Sequence, residues 1–192
     1  MRAAAGRTEA LVALRPVQPA DAPLLLAWRG EESVRRHQPL RDLSLGELRA
    51  ELAALRPSEL WLGQGERFLW LVLAERQPVG WITLLVVSWE HGLAEVGYAL
   101  GTEHQGKRWM RPALELLLRD LFALTPLFRI EARCAVRNVA SQRLLAGLGF
   151  REEGVLRSYF RLRGERVDNR LFALLRTDWA RRAMEEGTAR RA

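Results

Sequence analysis

Two apolar runs joined by a short polar turn, with a third run just beyond them, constrain the fold of this chain most strongly. The runs cover residues 68–74 and 79–87, the turn between them covers residues 75–78, and the third run covers residues 93–101. Apolar runs of this length that are bounded by turn residues are typical of neighbouring β-strands. The sequence therefore predicts an antiparallel meander over residues 68–101.

The segments on both sides of this meander contain helix signals and further strand signals. Ser44 and Glu47 form a capping-box pattern in front of an apolar stretch, and Gly149 follows another such stretch as a helix-ending residue. The predicted helices cover residues 24–28, 45–55, 112–124, 138–148 and 178–186, and the further strands cover residues 8–15, 129–136, 154–162 and 166–175. This order predicts a mixed α/β sheet with helices on both faces, because strands and helices do not alternate strictly as they do in a Rossmann fold.

Length and composition favour one domain with a sizeable core. The chain has 192 residues, of which 48% are hydrophobic and 28% are charged. We expect a single domain over residues 1–192, with its core at about residues 8–179 and a tail helix after it. Cys134 is the only cysteine, which excludes an internal disulfide and favours a reducing cytoplasm. No apolar run is long enough to span a membrane, and residues 1–10 lack the apolar core of an export signal.

Arginine dominates the positive charge of the chain. The formal net charge is +7, and Lys107 is the only lysine. Such a bias fits a GC-rich genome or adaptation to heat, and it fits equally well with pairing between arginines and phosphate groups. Because acidic residues are interleaved with the arginines, nucleic-acid binding is not indicated. His37 and His91 fall in loops without clustered cysteines or carboxylates, so no metal site is predicted.

The loop that follows the meander is basic and precedes a helix. Lys107, Arg108 and Arg111 lie in this segment, and Pro112 marks the first turn of the helix. A helix N-terminus exposes unpaired N–H groups and attracts anions, so the segment is a candidate anion site. An ordinary basic surface turn would have the same sequence.

A second signal begins where the strand over residues 129–136 is predicted to end. Asn138 can cap the next helix with its side chain, and Ser141 lies three residues later on about the same helical face. Gly149 and Phe150 then end that helix. Taken singly, these residues can also be a cap, a surface serine, and a helix stop with an apolar core residue.

Several short motifs follow one another in a specific order around these two segments. They are Glu95-Val-Gly-Tyr98, Gln105-Gly-Lys107, Asn138-Val-Ala-Ser141, Gly149-Phe150, Glu153-Gly-Val-Leu-Arg157, Arg163-Gly164 and Asp168. The ordered set resembles the GNAT superfamily of N-acetyltransferases, and in particular its RimJ/RimL-like branch, which acetylates ribosomal-protein N-termini and related amines. The resemblance runs from about residue 14 to residue 179 and is strongest from Glu95 onward.

The resemblance implies a GNAT fold and acetyl-CoA as the cofactor. In that fold a mostly antiparallel sheet splays near the end of the strand over residues 95–101, and the pantetheine arm lies in the gap. The pyrophosphate then rests on the following loop and helix N-terminus. The residues implied to bind the cofactor are Tyr98, Ala99, Leu100, Gln105, Gly106, Lys107, Arg108, Trp109, Met110, Asn138 and Arg143.

The resemblance also implies direct acetyl transfer to a primary amine while donor and acceptor are bound together. Ser141 would lie near the sulfur and protonate the leaving thiolate. Glu95 is the candidate base, although it could instead pair with an arginine, and Tyr159 is an alternative proton donor. Backbone N–H groups of the splayed strand would stabilise the oxyanion.

Two positions depart from the family pattern. The family loop has small residues where this chain has Arg108 and Met110, and glycine lets a backbone approach phosphate closely. Arg108 can compensate with its charge, whereas the side chain of Met110 is expected to crowd the start of the helix. A degenerate relative that binds CoA or a partner without transferring acetyl is therefore one alternative, and an arginine-rich ribosome- or RNA-associated module is another.

The acceptor stays open between a protein N-terminus and a small-molecule amine. The N-terminal half, which shapes the acceptor pocket in this family, carries Trp28, Trp61, Trp70, Trp81 and Trp89. We expect most of them to pack in the core or in a dimer contact. The resemblance alone suggests a homodimer, and no membrane partner is expected.

Overall fold

The computed structural model describes residues 12–189, with side chains up to residue 185. Within these residues one seven-stranded sheet has the order β1-β2-β3-β4-β5-β7-β6. The strands are β1 (Val12–Pro16), β2 (Arg67–Ala74), β3 (Gln77–Ser88), β4 (Leu93–Leu100), β5 (Arg129–Ala135), β6 (Arg151–Leu162) and β7 (Glu165–Leu175). The α-helices are α1 (Ala22–Gly30), α2 (Glu32–Arg35), α3 (Leu45–Ala54), α4 (Met110–Leu124), α5 (Val139–Gly147) and α6 (Arg176–Ala189). None of the helices described has the length and apolar character that crossing a membrane requires.

The pairing of β4 with β5 is the exception in an otherwise antiparallel sheet. These two strands run parallel and are joined through α4, because parallel neighbours need a long crossover connection. Their ladder contains three residue pairs and ends where Glu95 lies opposite Glu131. Beyond that pair β4 and β5 no longer pair with each other, so the sheet is continuous at one end and split at the other.

Helices cover both faces of the sheet, and each face has its own hydrophobic core. The apolar stripe of α4 has helical spacing and is buried against the strands through Leu114, Leu117, Leu118 and Leu121. On the other face α1 and α3 pack against β2 and β3, and the rings of Trp28 and Trp81 stack there with centroids 6.2 Å apart. The predicted mixed sheet with helices on both faces is confirmed.

The sequence predicted most elements and missed some of their boundaries. The meander is confirmed as β2–β4, and the capping box is confirmed by the Glu47 N–H, which donates to Ser44 Oγ at 3.2 Å. The helix expected from Pro112 begins two residues earlier, because Trp109 already has helical backbone angles. The short helix α2 was not predicted, and α6 begins at Arg176 rather than at residue 178. Of the first predicted strand, residues 8–11 lie outside the described residues.

Most tryptophans of the N-terminal half lie in the two cores, as expected. Trp28, Trp70 and Trp81 are buried. Trp89 packs at the border of the core under α4, and its Nε1 donates to Gly65 O at 2.6 Å. Trp61 is the exception, since 44% of it is exposed.

Candidate active site

The site lies where β4 and β5 separate. Residues 96–100 of β4 stay paired with β3, and residues 132–135 of β5 stay paired with β7. The two strand edges face each other across a gap in which their backbone groups have no strand partner. An extended ligand can enter such a gap and pair with the edges as an additional strand does.

The backbone groups of Tyr98 and Leu100 point into this gap. The Gly101 N–H donates to Val79 O at 3.0 Å, so Gly101 bonds across to the β3 side. In antiparallel pairing, residues alternate between bonding to the partner strand and pointing away from it. Ala99 therefore bonds to β3 as well, and the N–H and carbonyl groups of Tyr98 and Leu100 face the opening.

A cavity of about 900 Å³ opens at the gap, which is a volume typical of cofactor sites. Its wall contains α2 and the residues after it, the end of β4, the loop before α4, and the start of α5. Most of the predicted site residues line it, namely Tyr98, Ala99, Leu100, Gln105, Gly106, Arg108, Met110, Asn138, Ser141 and Arg143. The structure therefore brings together residues from the two segments that the sequence singled out.

Four of the predicted site residues do not line this cavity, namely Lys107, Trp109, Glu95 and Tyr159. The side chain of Lys107 is exposed, since the loop directs it towards solvent. Trp109 packs against the core under α4, because the helical turn begins there and directs the ring inward. Glu95 and Tyr159 lie on the other face of the sheet, as described below.

The loop before α4 contains two residues in an unusual backbone conformation. Gly106 and Arg108 have φ values of +76° and +62°, in the left-handed region that glycine tolerates best. Arg108 thus stands where the backbone favours glycine. Met110 corrects an expectation, because its side chain turns into the core and is only 5% exposed, so that it does not block the start of α4. The guanidinium of Arg111 donates to Gly147 O at 2.9 Å and so joins α4 to α5.

Tyr98 and Ser141 meet at the inner wall of the cavity. Asn138 Oδ1 accepts from the Ser141 N–H at 3.1 Å and caps α5, which fixes the place of Ser141. The Ser141 and Tyr98 hydroxyls share a hydrogen bond of 2.7 Å. Burial raises the pKa of Tyr98, and the bond to Ser141 opposes this rise only in part. Burial likewise raises the pKa of the Cys134 thiol, against a hydrogen bond from Ser141.

The sequence predicts that Tyr98 binds the cofactor, and it does not predict the contact between the Tyr98 hydroxyl and Ser141. A period-two signal was available, because side chains alternate along a strand and Val96 belongs to the core under α4. Tyr98 therefore points to the same face as Val96, where α5 lies. What the sequence could not supply is that Ser141 on α5 lies within hydrogen-bonding distance.

Glu95 lies on the opposite face of the sheet from Tyr98. Its Oε2 accepts from Arg133 Nη1 at 2.5 Å, and Arg133 also contacts Glu131 at 3.3 Å. Burial raises the pKa of Glu95, Arg133 opposes the rise, and Glu131 adds to it. The guanidinium carbon of Arg133 lies 5.3 Å from the ring centroid of Tyr159. The structure therefore joins Tyr159 to Glu95 through Arg133 and does not bring it to Ser141.

Comparison with known proteins identifies the family. A family model for the acetyltransferase (GNAT) domain matches residues 12–151. The chain belongs to this family. The uncharacterized N-acetyltransferase p20 of Bacillus licheniformis is 32% identical over 170 residues, which are 87% of this chain and 94% of that protein.

Two further relatives of this GNAT acetyltransferase have named acceptors. The solved ribosomal-protein-S5-alanine acetyltransferase of Vibrio fischeri has a TM-score of 0.76 and 26% identity, over 88% of this chain and 94% of that chain. The spermidine N(1)-acetyltransferase of Vibrio cholerae is 28% identical over 110 residues, which are 57% of this chain and 64% of that protein.

This GNAT acetyltransferase is an enzyme that uses acetyl-CoA as its acetyl donor. Its own geometry fits that cofactor, because an open strand edge can pair with the amides of a pantetheine arm. The lining also contains Arg36, Arg108, Arg111 and Arg143, which suit phosphate groups. None of the described residues that line the cavity is an aspartate or a glutamate.

Proposed function

We propose that this enzyme transfers acetyl directly from acetyl-CoA to the α-amine of a protein N-terminus. One observation carries the proposal. The gap between β4 and β5 has a hydroxyl pair, Tyr98 and Ser141, on one face of the sheet and a carboxylate, Glu95, on the other. Acetyl-CoA held in the gap would have a proton source on the side of its sulfur and a base on the side from which the amine approaches.

The chain's own backbone would bind and activate the donor. Acetyl-CoA supplies the acetyl group as a reactive thioester. The N–H groups of Tyr98 and Leu100 face the gap and would stabilise the negative charge that develops on the thioester oxygen. The loop over residues 105–110 and the N-terminus of α4 would hold the phosphates, with Arg108 and Arg143 as the charged partners.

Two proton transfers complete the proposed reaction. Ser141 would donate to the leaving sulfur and would recover its proton from water in the cavity, while the hydrogen bond from Tyr98 holds the Ser141 hydroxyl in place. The raised pKa of Tyr98 keeps its hydroxyl protonated, so it stays a hydrogen-bond donor to Ser141. On the other face Glu95 would take the proton of the amine. The hydrogen bond from Arg133 goes to Oε2 of Glu95, so we assign the role of base to Oε1.

The charges of the acceptor face favour a peptide N-terminus over a polyamine. Glu95 and Glu131 both pair with Arg133, and Glu131 also pairs with Arg129 at 2.8 Å. A polyamine needs several unpaired carboxylates, whereas a peptide N-terminus brings one ammonium and a neutral backbone. The likeness to the S5-alanine acetyltransferase supports the same class of acceptor.

Calorimetry and thiol release test this function in two steps. We expect CoA to bind with micromolar affinity, and no binding up to millimolar CoA would rule out both the active enzyme and a degenerate relative. Release of CoA thiol is then measured with acetyl-CoA and three acceptors: a peptide with N-terminal alanine, the same peptide with its N-terminus acetylated, and spermidine. Turnover with the free peptide alone supports the proposal. Turnover with spermidine alone would replace the proposed acceptor by a small amine, and turnover with none of the three would overturn it.

A further inference from the structure

Two glutamine side chains donate hydrogen bonds to the carbonyl groups that β4 directs into the gap. Gln38 Nε2 donates to Tyr98 O at 2.8 Å, and Gln105 Nε2 donates to Leu100 O at 3.1 Å. A carbonyl on a partly buried strand edge is costly without a donor. The free enzyme thus satisfies both open carbonyls with its own side chains.

Gln38 is held firmly in this position. It follows α2, and its own carbonyl accepts from the Leu40 N–H at 2.9 Å. Pro39 restricts the backbone directly after it, and Leu40 packs against the core under α1 and α3. The neighbouring Arg36 and His37 line the same cavity. The amide of Gln38 therefore reaches Tyr98 from a part of the wall that is anchored on both sides.

We propose that the side-chain amide of Gln38 competes with the pantetheine arm of CoA for the backbone carbonyl of Tyr98. This inference rests on the proposed function, in which that arm lies in the gap. The arm is an extended chain with two amide N–H groups, so it offers the same kind of donor that Gln38 provides in the free enzyme. Bound CoA takes the carbonyl and displaces the glutamine amide.

The competition sets how tightly the enzyme holds its product. When CoA departs, the Gln38 amide returns to Tyr98 O and the exposed carbonyl is satisfied again. Release of CoA therefore does not leave a bare acceptor on the strand edge. Without Gln38 the free enzyme loses this compensation, and CoA is retained for longer.

The test compares Gln38→Met with the wild type by calorimetry. Methionine keeps the length of the side chain and removes the donor. We expect the Kd for CoA to fall by about twofold to tenfold, which is the range that one neutral hydrogen bond supplies. Adenosine 3′,5′-bisphosphate, the nucleotide part of CoA without the pantetheine arm, should keep its Kd, because it does not reach Tyr98. The inhibition constant of CoA as a product should fall in parallel with its Kd.

Gln64→Met is the matched control, since Gln64 is exposed in the turn before β2, and it should change neither Kd. If Gln38→Met leaves the Kd for CoA unchanged or raises it, the proposed competition is wrong. A shift of the same size for the bisphosphate would also overturn it, because Gln38 would then shape the whole cavity. If the wild type itself fails to bind CoA, the proposed function fails instead.

Discussion

The hydroxyl pair of Tyr98 and Ser141 is the feature of the site that depends most on single atoms. The two side chains come from β4 and α5 and share one hydrogen bond of 2.7 Å. The side chain of Asn138 bonds to the backbone N–H of Ser141 and not to the Ser141 hydroxyl. The hydroxyl can therefore be removed while the cap of α5 stays intact.

Ser141→Ala should reduce turnover far more than it reduces the affinity for acetyl-CoA. A positioned proton donor contributes on the order of 10²- to 10⁴-fold, and we expect a loss of about tenfold to a hundredfold because water can partly replace the hydroxyl. The kcat and the Kd for CoA measure the two effects separately. Asn138→Ala is the contrasting variant, since loss of a helix cap costs about 1 kcal/mol of stability. An unchanged kcat in Ser141→Ala would exclude Ser141 as the acid.

The pKa of Glu95, the proposed base, determines the expected pH dependence of the rate. Burial raises the pKa of its carboxyl, and a base must be deprotonated to act. Activity should therefore rise as the pH rises through this pKa, at a higher pH than an ordinary glutamate with a pKa of about 4.3 would give. Glu95→Gln should remove this limb of the kcat/KM profile and lower the rate by about a hundredfold. Glu90→Gln, at an exposed position, should leave the profile unchanged, and a persisting limb in Glu95→Gln would assign the base elsewhere.

At the scale of elements, the loop between β4 and α4 combines a strained backbone with a useful charge. Arg108 has φ +62°, a conformation that costs a residue with a side chain roughly 1–2 kcal/mol. Glycine would remove that strain and would also lose the guanidinium that faces the cavity. The two effects have opposite signs and can be measured on one variant.

Arg108→Gly should raise the free energy of unfolding and weaken CoA binding. We expect a gain of about 0.5–1 kcal/mol in urea unfolding, because part of the relieved strain is offset by the greater freedom of glycine in the unfolded chain. The Kd for CoA should rise about twofold to fivefold, as expected for one exposed ion pair. Lys107→Gly is the control, because Lys107 lies outside the left-handed region and offers no strain to relieve. A loss of stability in Arg108→Gly would contradict this reasoning.

At the scale of the whole molecule, the sheet consists of two parts joined by a narrow seam. Strands β1–β4 and strands β5–β7 are connected within the sheet by three parallel residue pairs. In the proposed function, a ligand in the gap would continue the seam as an additional strand does and would bond to the edges on both sides. Binding should therefore stabilise two segments that are distant in sequence.

Hydrogen exchange should detect this bridging. With saturating CoA we expect slower amide exchange in residues 96–100 and in residues 132–135 together, because both edges line the gap. Peptides from β1 should change little, since β1 lies at the far edge of the sheet. Mass spectrometry of the exchanged protein reports each segment. Protection confined to residues 105–110 would mean that CoA rests on the loop without entering the gap.

The sequence predicted the parts of this molecule that local patterns encode. The meander, the capped helices and most residues of the cavity wall follow from apolar runs, caps and ordered motifs. The bond between Tyr98 and Ser141 joins residues 43 positions apart, and Gln38 belongs to no motif, so neither contact has a local signal. The inward turn of Met110 was missed for a related reason, since it depends on α4 starting two residues earlier than the proline indicates.

Lys107 gives this enzyme an unusual chemical handle. It is the only lysine of the chain, and its side chain is exposed. It lies next to Arg108 in the loop beside the cavity. An amine-reactive dye has one ε-amine to modify, so a fluorophore can be attached beside the mouth of the cavity without introducing a cysteine. Any acetyl-lysine that the protein acquires from its own donor must likewise map to this single position.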